Sequence, residues 1–344
     1  MRALITGGAG FIGSHLAESL IAQGHTVSVL DNLATGRLEN IEHLRHHPRF
    51  KYTIDSVMNE PVLSRMIERA DVVFHLAAAV GVKLVVERPV HTIETNVHGT
   101  ETVLRHARRH GKLVLVASTS EVYGKNAKLP FSEDADLVMG PPSKTRWGYA
   151  TSKLLDEFLA LGYWKEYQSP VIVVRFFNTV GPRQSARYGM VLPNFVRRAL
   201  AGETITVHGD GGQTRSFTWV GDVVSAITAL VQEPKTVGEV FNIGNGAEVS
   251  IRDLACKVKA MTGSDSPIEF VPYNQVFDDS FEDMPRRVPD ITKIGRFVGY
   301  KPTVHLEEII SRVVDYWSAD QERQAAMHQP AAALELAHVL EAVS

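Results

Sequence analysis

The sequence predicts an α/β protein: a doubly wound parallel sheet with a smaller C-terminal substrate-binding domain. Three observations predict it. Short β-branched runs alternate with helix-length amphipathic segments, the pattern of parallel strands covered on both faces. A glycine-rich turn, TGGAGFIG, follows the first apolar run directly. The alternation is clean to about Phe176, loosens into loops, and returns briefly at GDVVSAITALVQEPKTVGEVFNIG. The expected division is therefore 1–176 plus about 213–244 for the sheet domain, and 177–212 plus about 245–318 for the second domain. Residues 319–344 are expected to be a helical tail, with Leu336, Val339, Leu340 and Val343 on one face.

The first strand, ALIT, runs into glycines at 7, 8, 10 and 13. Gly8, Gly10 and Gly13 match G-x-G-x-x-G between a strand and a helix, the context the motif requires. Glycines let the backbone turn tightly and approach a pyrophosphate, which the helix N-terminus then favours. The second strand, TVSVLD, ends in Asp31, a carboxylate placed to accept both hydroxyls of an adenosine ribose and to repel a 2′-phosphate. That selects NAD, although the nearby Arg37 is of the type that accommodates the phosphate of NADP. The third strand, FKYTID, ends in Asp55, which can meet the adenine edge or cap the following helix.

The fourth strand is DVVFHLA and the fifth KLVLVAS. The fifth delivers Ser118, Thr119 and Ser120 to its carboxyl end, where ligands of such sheets bind; hydroxyls there can hold a substrate oxygen or cap the turn. A helix follows with RWGYATSK, residues 146–153. Tyr149 and Lys153 are four apart and share a helix face. A free tyrosine has a pKa near 10, and bringing it toward 7 asks for about 4 kcal/mol of preference for phenolate. A shielded ammonium can supply most of that. The pair is expected to take a proton from a sugar hydroxyl while hydride leaves the same carbon. VIVVRF and EVFNIG complete the strands.

The bulk numbers exclude other classes. With 36 basic and 39 acidic residues, a net charge of -3 and no basic run, no nucleic-acid partner is expected. No apolar stretch approaches a membrane span, and the expected location is the cytoplasm. The single cysteine, Cys256, cannot form an internal disulfide and is expected to be a small buried apolar side chain.

TGGAGFIG, FHLAA, TSEVYG, YATSK and RFFNTVGPR, in this order and spacing, resemble the extended short-chain dehydrogenase/reductases that modify nucleotide sugars. The resemblance runs from Met1 to about Trp317 and implies a Rossmann sheet, tightly bound NAD and a UDP-sugar substrate. It implies a catalytic trio of Thr119, Tyr149 and Lys153, with Glu121 beside it. It places Gly7, Gly10, Phe11, Ile12, Gly13, Asp31, Asn32, Asp55, Ser56, Leu76, Ala77 and Ala78 at the cofactor. It places Lys83, Ser120, Asn178, Val207, Arg215 and Arg287 at the substrate, with TITVHGDG lining the base pocket. Arg215 also suits a diphosphate on its own chemistry, since a guanidinium fork binds phosphate bidentately. In that family the helix carrying Tyr149 and Lys153 helps form a homodimer.

A ketone made at C4 of the sugar opens several outcomes. Reduction on the other face gives C4 epimerisation of a UDP-glucose or UDP-glucuronic acid type substrate, the expected reaction. The alternative is decarboxylation of UDP-glucuronate, because Glu121 and the run Arg287-Val288-Pro289-Asp290 resemble those of the decarboxylases. Arg287 could instead pair with Glu282 or Asp283, and an arginine gripping the sugar carboxylate could protect it from loss. A 4,6-dehydratase is disfavoured because Thr-Ser-Glu stands where that subfamily resembles Thr-Asp-Glu. A non-catalytic NAD-binding sensor is the third reading.

Overall fold

The structure is a computed structural model that describes residues 1–81, 85, 87–186, 190–276, 282 and 284–328. Strands are β1 (Arg2–Thr6), β2 (Thr26–Asp31), β3 (Phe50–Ile54), β4 (Val72–His75), β5 (Leu113–Thr119), β6 (Val171–Phe176), β7 (Thr179–Val180), β8 (Ile205–His208), β9 (Thr214–Ser216), β10 (Thr218–Trp219), β11 (Val240–Ile243), β12 (Glu248–Ser250), β13 (Ile268–Val271) and β14 (Arg286–Arg287). The main helices are α1 (Phe11–Ala22), α2 (Glu60–Arg69), α3 (Pro89–Arg109), α4 (Arg146–Tyr167), α5 (Val191–Leu200), α6 (Val220–Gln232), α7 (Ile251–Met261), α8 (Thr292–Val298) and α9 (Leu306–His328).

Among the described residues, seven strands form one parallel sheet in the order β3-β2-β1-β4-β5-β6-β11. All seven strands expected from sequence are in it. Alternate residues point to opposite faces. Ala3 and Ile5 join Leu16, Leu20, Val223 and Ile227 of α1 and α6. Leu4 joins Leu63, Val103, Leu104 and Ala160 of α2, α3 and α4. The chain leaves β1 toward β3 and then crosses back to β4, so the switch point lies between β1 and β4, where ligands of such sheets bind.

A second core joins α5, α7 and α9 through Phe195, Val196, Leu254, Val258, Ile309 and Val313. Two segments pack otherwise than the expected boundaries place them. β9 pairs with β12 and β14 in a small sheet of its own. Ile294 and Tyr300 pack into the first core. The expected tail at 319 begins inside α9, and 329–344 lie outside the described residues. Cys256 is exposed, contrary to expectation: Leu254, Ala255 and Val258 take the buried face of α7.

Helix α4 inverts the usual amphipathic pattern. Its buried stripe holds Arg146, Lys153, Asp156 and Glu157, whereas Leu155 and Phe158 are exposed, Phe158 at 67%. Charges are rarely buried without partners. Those partners build the site.

Candidate active site

The glycine turn has the close approaches its residue types require. Gly7 has a φ of +74°, and a Cβ there would lie 2.8 Å from the Ala77 nitrogen at the end of β4. A Cβ on Gly13 would lie 2.3 Å from the Gly7 carbonyl oxygen. Only glycine keeps this turn flat, and Gly10 then starts α1, with Phe11 and Ile12 in its first turn. Asp31 is buried at the tip of β2 and accepts the N–H groups of Ala9 at 2.9 Å and Leu33 at 2.8 Å. Burial pushes its carboxyl up, and the Leu33, Ala9 and Gly10 amides pull it back. The cradle and its acid fit a dinucleotide pyrophosphate and ribose.

Around this cradle the expected cofactor residues divide. Leu76, Ala77 and Ala78 follow β4 at the switch point, and the Leu76 amide donates to the Thr6 carbonyl at 3.1 Å. Asn32 accepts the Ala34 amide at 3.1 Å in a tight turn. Asp55 is a turn residue in the structure: it accepts the Ser56 amide at 2.7 Å and the Asn59 side chain at 2.8 Å just ahead of α2. The Ser56 hydroxyl accepts the Met58 amide.

At the C-terminal end of β5, the Thr119 hydroxyl accepts the Glu121 amide at 3.2 Å, and it is one of the groups that favour the ionised form of Tyr149. The protein groups alone do not acidify Tyr149. Burial raises its phenol well above the usual value, and the Glu121 and Asp156 charges raise it further. Thr119 and Arg287 act in the opposite direction. Lys153 is buried with its ammonium 2.6 Å from the Asp156 carboxylate, so much of its charge is already compensated.

Glu121 sits between two guanidinium groups. Arg146 donates from Nη2 to Oε1 at 3.1 Å and from Nε to Oε2 at 3.3 Å. Arg287 donates from Nη1 to Oε1 at 2.8 Å. The local carboxylate Glu282 does not take Arg287: it accepts from Lys125 at 3.0 Å and from the Trp147 indole at 3.0 Å. Its main-chain carbonyl accepts from Arg146 at 2.5 Å. Asp283, the other local partner expected for Arg287, lies outside the described residues, as does Lys83.

The small sheet brings the remaining residues in. Arg215 and Arg287 are direct partners on the parallel strands β9 and β14. Asn178, at a φ of 37°, donates to the Ser216 carbonyl at 2.8 Å. Arg215 is buried and donates to the Thr214 carbonyl at 2.8 Å. Thus Glu121 and Arg287 meet beside Tyr149, and Arg215 and Asn178 are tied to the strand that pairs with Arg287. Val207 does not join them with its side chain, which is fully buried in the second core, while its strand pairs with β13. Ser120 is buried in the turn after Thr119.

Arg146, Asp156 and Asn96 are site residues that the sequence reading left aside. Arg146 and Asp156 flank the catalytic pair at i−3 from Tyr149 and i+3 from Lys153, the same helix face, and that spacing was the available signal. Asn96 accepts the Ala79 amide at 2.7 Å and donates to Ser152 at 3.1 Å, tying the loop after β4 to α4. A lone asparagine in α3 offers no pattern from which to read this.

Comparison with known proteins agrees with the geometry. The GDP-mannose 4,6 dehydratase family matches residues 4–313. The chain is 43% identical over 317 residues to a UDP-N-acetyl-alpha-D-glucosaminuronate decarboxylase of Bacillus cytotoxicus, covering 92% of this chain and 97% of the relative. It is 38% identical over 324 residues to UDP-glucuronic acid decarboxylase 1 of Danio rerio, covering 94% and 74%. Among solved structures it resembles UDP-glucuronic acid 4-epimerase from Bacillus cereus in complex with UDP-glucuronic acid and NAD, with TM-score 0.83 and 29% identity over 93% of this chain and 99% of that one. Among the described residues no helix is long and apolar enough to cross a membrane.

Proposed function

Because the chain belongs to the GDP-mannose 4,6 dehydratase family of extended short-chain dehydrogenases, we propose that it is an NAD-dependent decarboxylase of a UDP-linked uronic acid. Epimerisation, the reaction expected first from sequence, is not singled out by the relatives, and the decarboxylase alternative fits them better.

The observation that carries this reading is the Glu121–Arg287 pair. A carboxylate facing an undivided cation resists losing carbon dioxide, because the charge that is stabilised departs from it. Here Arg287 is shared with Glu121, and Glu121 also accepts from Arg146. The guanidinium can orient a substrate carboxylate while its charge is partly compensated. That arrangement favours release over protection.

NAD, when bound at the glycine turn, supplies the acceptor for hydride from sugar C4 and a positive ring near the phenol. The residues of this chain do the rest. Tyr149 and Thr119 hold the C4 hydroxyl and take its proton as the ketone forms. Lys153 and Asp31 hold the two ribose ends, and Arg215 and Asn178 take the diphosphate. The ketone lies β to the carboxylate, so the C5–C6 bond breaks with its electrons passing to an enolate. A proton then returns to C5. Return to C4 of the hydride taken at the start, with a proton from Tyr149 to the oxygen, would give a UDP-pentose with no net redox change; release of the 4-ketone would leave the dinucleotide reduced.

Assembly is part of the same reading. Leu155 and Phe158 of α4, the helix expected to meet a second copy, are exposed apolar side chains, as are Val90 and Ile93 of α3. A monomer mass in sedimentation would remove that part alone.

Products from UDP-glucuronic acid, UDP-N-acetylglucosaminuronic acid and UDP-glucose, read by NMR, test the proposal. A five-carbon sugar with carbon dioxide supports it. A C4-inverted uronic acid means epimerase, and no product across the panel means a sensor.

A further inference from the structure

One buried ion pair lies on the catalytic helix, and its carboxylate has no role assigned above. Lys153 and Asp156 are one turn apart on α4, at 3% and 0% exposure, with Nζ and Oδ2 separated by 2.6 Å. Burying a lysine needs no carboxylate of its own when its charge is used by a ligand or a phenolate. Burying the carboxylate as well is costly unless the pair is used.

Asp156 Oδ2 is the oxygen that takes the ammonium, while Oδ1 is buried without a hydrogen-bond partner among the described residues. Burial raises the Asp156 carboxyl, and the Lys153 charge and the Thr100 hydroxyl of α3 act in the opposite direction. Thr100 also lies 3.2 Å from His75 Nε2 on β4, and His75 Nδ1 lies 2.8 Å from the Thr6 hydroxyl on β1. His75 is fully buried, and burial together with the Lys153 charge holds it neutral. Glu157, the next residue of α4, is committed elsewhere, to Arg175 and Ser118. Asp156 is therefore the carboxylate that faces the Lys153 ammonium. The other charges that face Tyr149 are Glu121 from the turn after β5 and Arg287 from β14.

We propose that Asp156 is a positioning residue of the catalytic pair: its carboxylate anchors the Lys153 ammonium inside the protein and offsets the charge that this ammonium presents to the Tyr149 phenol. Tyr149 then stays protonated until a bound positive ring adds to the field. The device keeps the base inactive in the enzyme without cofactor. The proposal rests on Tyr149 being the proton acceptor.

Ionisation of Tyr149 is read directly from the 13Cζ resonance of labelled tyrosine, assigned with Tyr149→Phe, in the full-length chain with and without NAD. With Asp156→Asn the Tyr149 midpoint is expected to fall by about one pH unit or more. Asp156→Glu, which keeps the charge, is expected to restore the parent midpoint. An unshifted midpoint in Asp156→Asn overturns the proposal. If the asparagine variant does not fold, the parent still decides: without NAD its Tyr149 is expected to remain phenolic to about pH 10, and ionisation near pH 7 overturns the proposal. These readouts need no substrate. Their failure is therefore distinct from failure of the functional reading, which would appear as normal turnover in Tyr149→Phe.

Discussion

The Arg287 guanidinium donates to the Glu121 carboxylate at 2.8 Å across 166 positions of sequence. It joins the small sheet of the second domain to the turn that carries Thr119. Because Arg287 is also the strand partner of Arg215, this one contact aligns the groups proposed for the sugar carboxylate with those proposed for the diphosphate.

The pair should behave as a unit. Glu121→Gln and Arg287→Met are each expected to lower decarboxylation by about 10²- to 10⁴-fold. The double variant should cost little more than the worse single, as residues acting together are non-additive. Steady-state rates of the four proteins check this; multiplicative losses would say the two side chains act independently.

Tyr149→Phe removes the hydroxyl proposed as the proton acceptor but leaves the glycine turn untouched. Turnover should drop at least about a hundredfold, with NAD still present after gel filtration. Near-normal rates would take Tyr149 out of its role.

Gly13→Ala places a methyl group 2.3 Å from the Gly7 carbonyl oxygen, and the neighbouring atom is backbone that cannot swing aside. NAD affinity should weaken at least about tenfold, about 1.4 kcal/mol. Titration of intrinsic fluorescence with NAD measures it; parent-like affinity would mean that the nucleotide does not use this turn.

His75 gives the stability a pH dependence of known sign. Burial and the Lys153 charge lower its pKa to about 3 in the folded chain, against about 6.5 unfolded. The unfolded chain therefore binds the extra proton. The contribution is complete above about pH 6.5 and is lost as pH falls toward about 3, at up to about 1.4 kcal/mol per pH unit. His75→Gln should narrow the difference between urea midpoints at pH 7 and pH 5. An unchanged difference would place the imidazole in contact with water.

Much of the fold was legible because its signals are local. Each sheet strand is a short β-branched run, and Gly7, Gly13 and Asp31 sit where chain geometry alone requires them. Tyr149 and Lys153 stand out by spacing, and Thr119 by its place at the end of β5. What spacing does not carry is charge balance. The acidified phenol expected from Tyr149 and Lys153 assumed a free ammonium, whereas Asp156 compensates it. For Asp55 the capping alternative is the one whose bonds the structure displays, and the buried Val207 side chain leaves only its backbone for ligand contact. The Glu121–Arg287 contact depends on tertiary pairing of β9 with β14, which no local pattern encodes.

The most direct test follows carbon six. The chain is incubated with UDP-glucuronic acid or UDP-N-acetylglucosaminuronic acid carrying 13C in the carboxylate, and the label is followed by NMR. The account predicts that the label leaves as carbon dioxide and bicarbonate while a five-carbon UDP-sugar or its 4-ketone accumulates. Label retained in a C4-inverted uronic acid would contradict it.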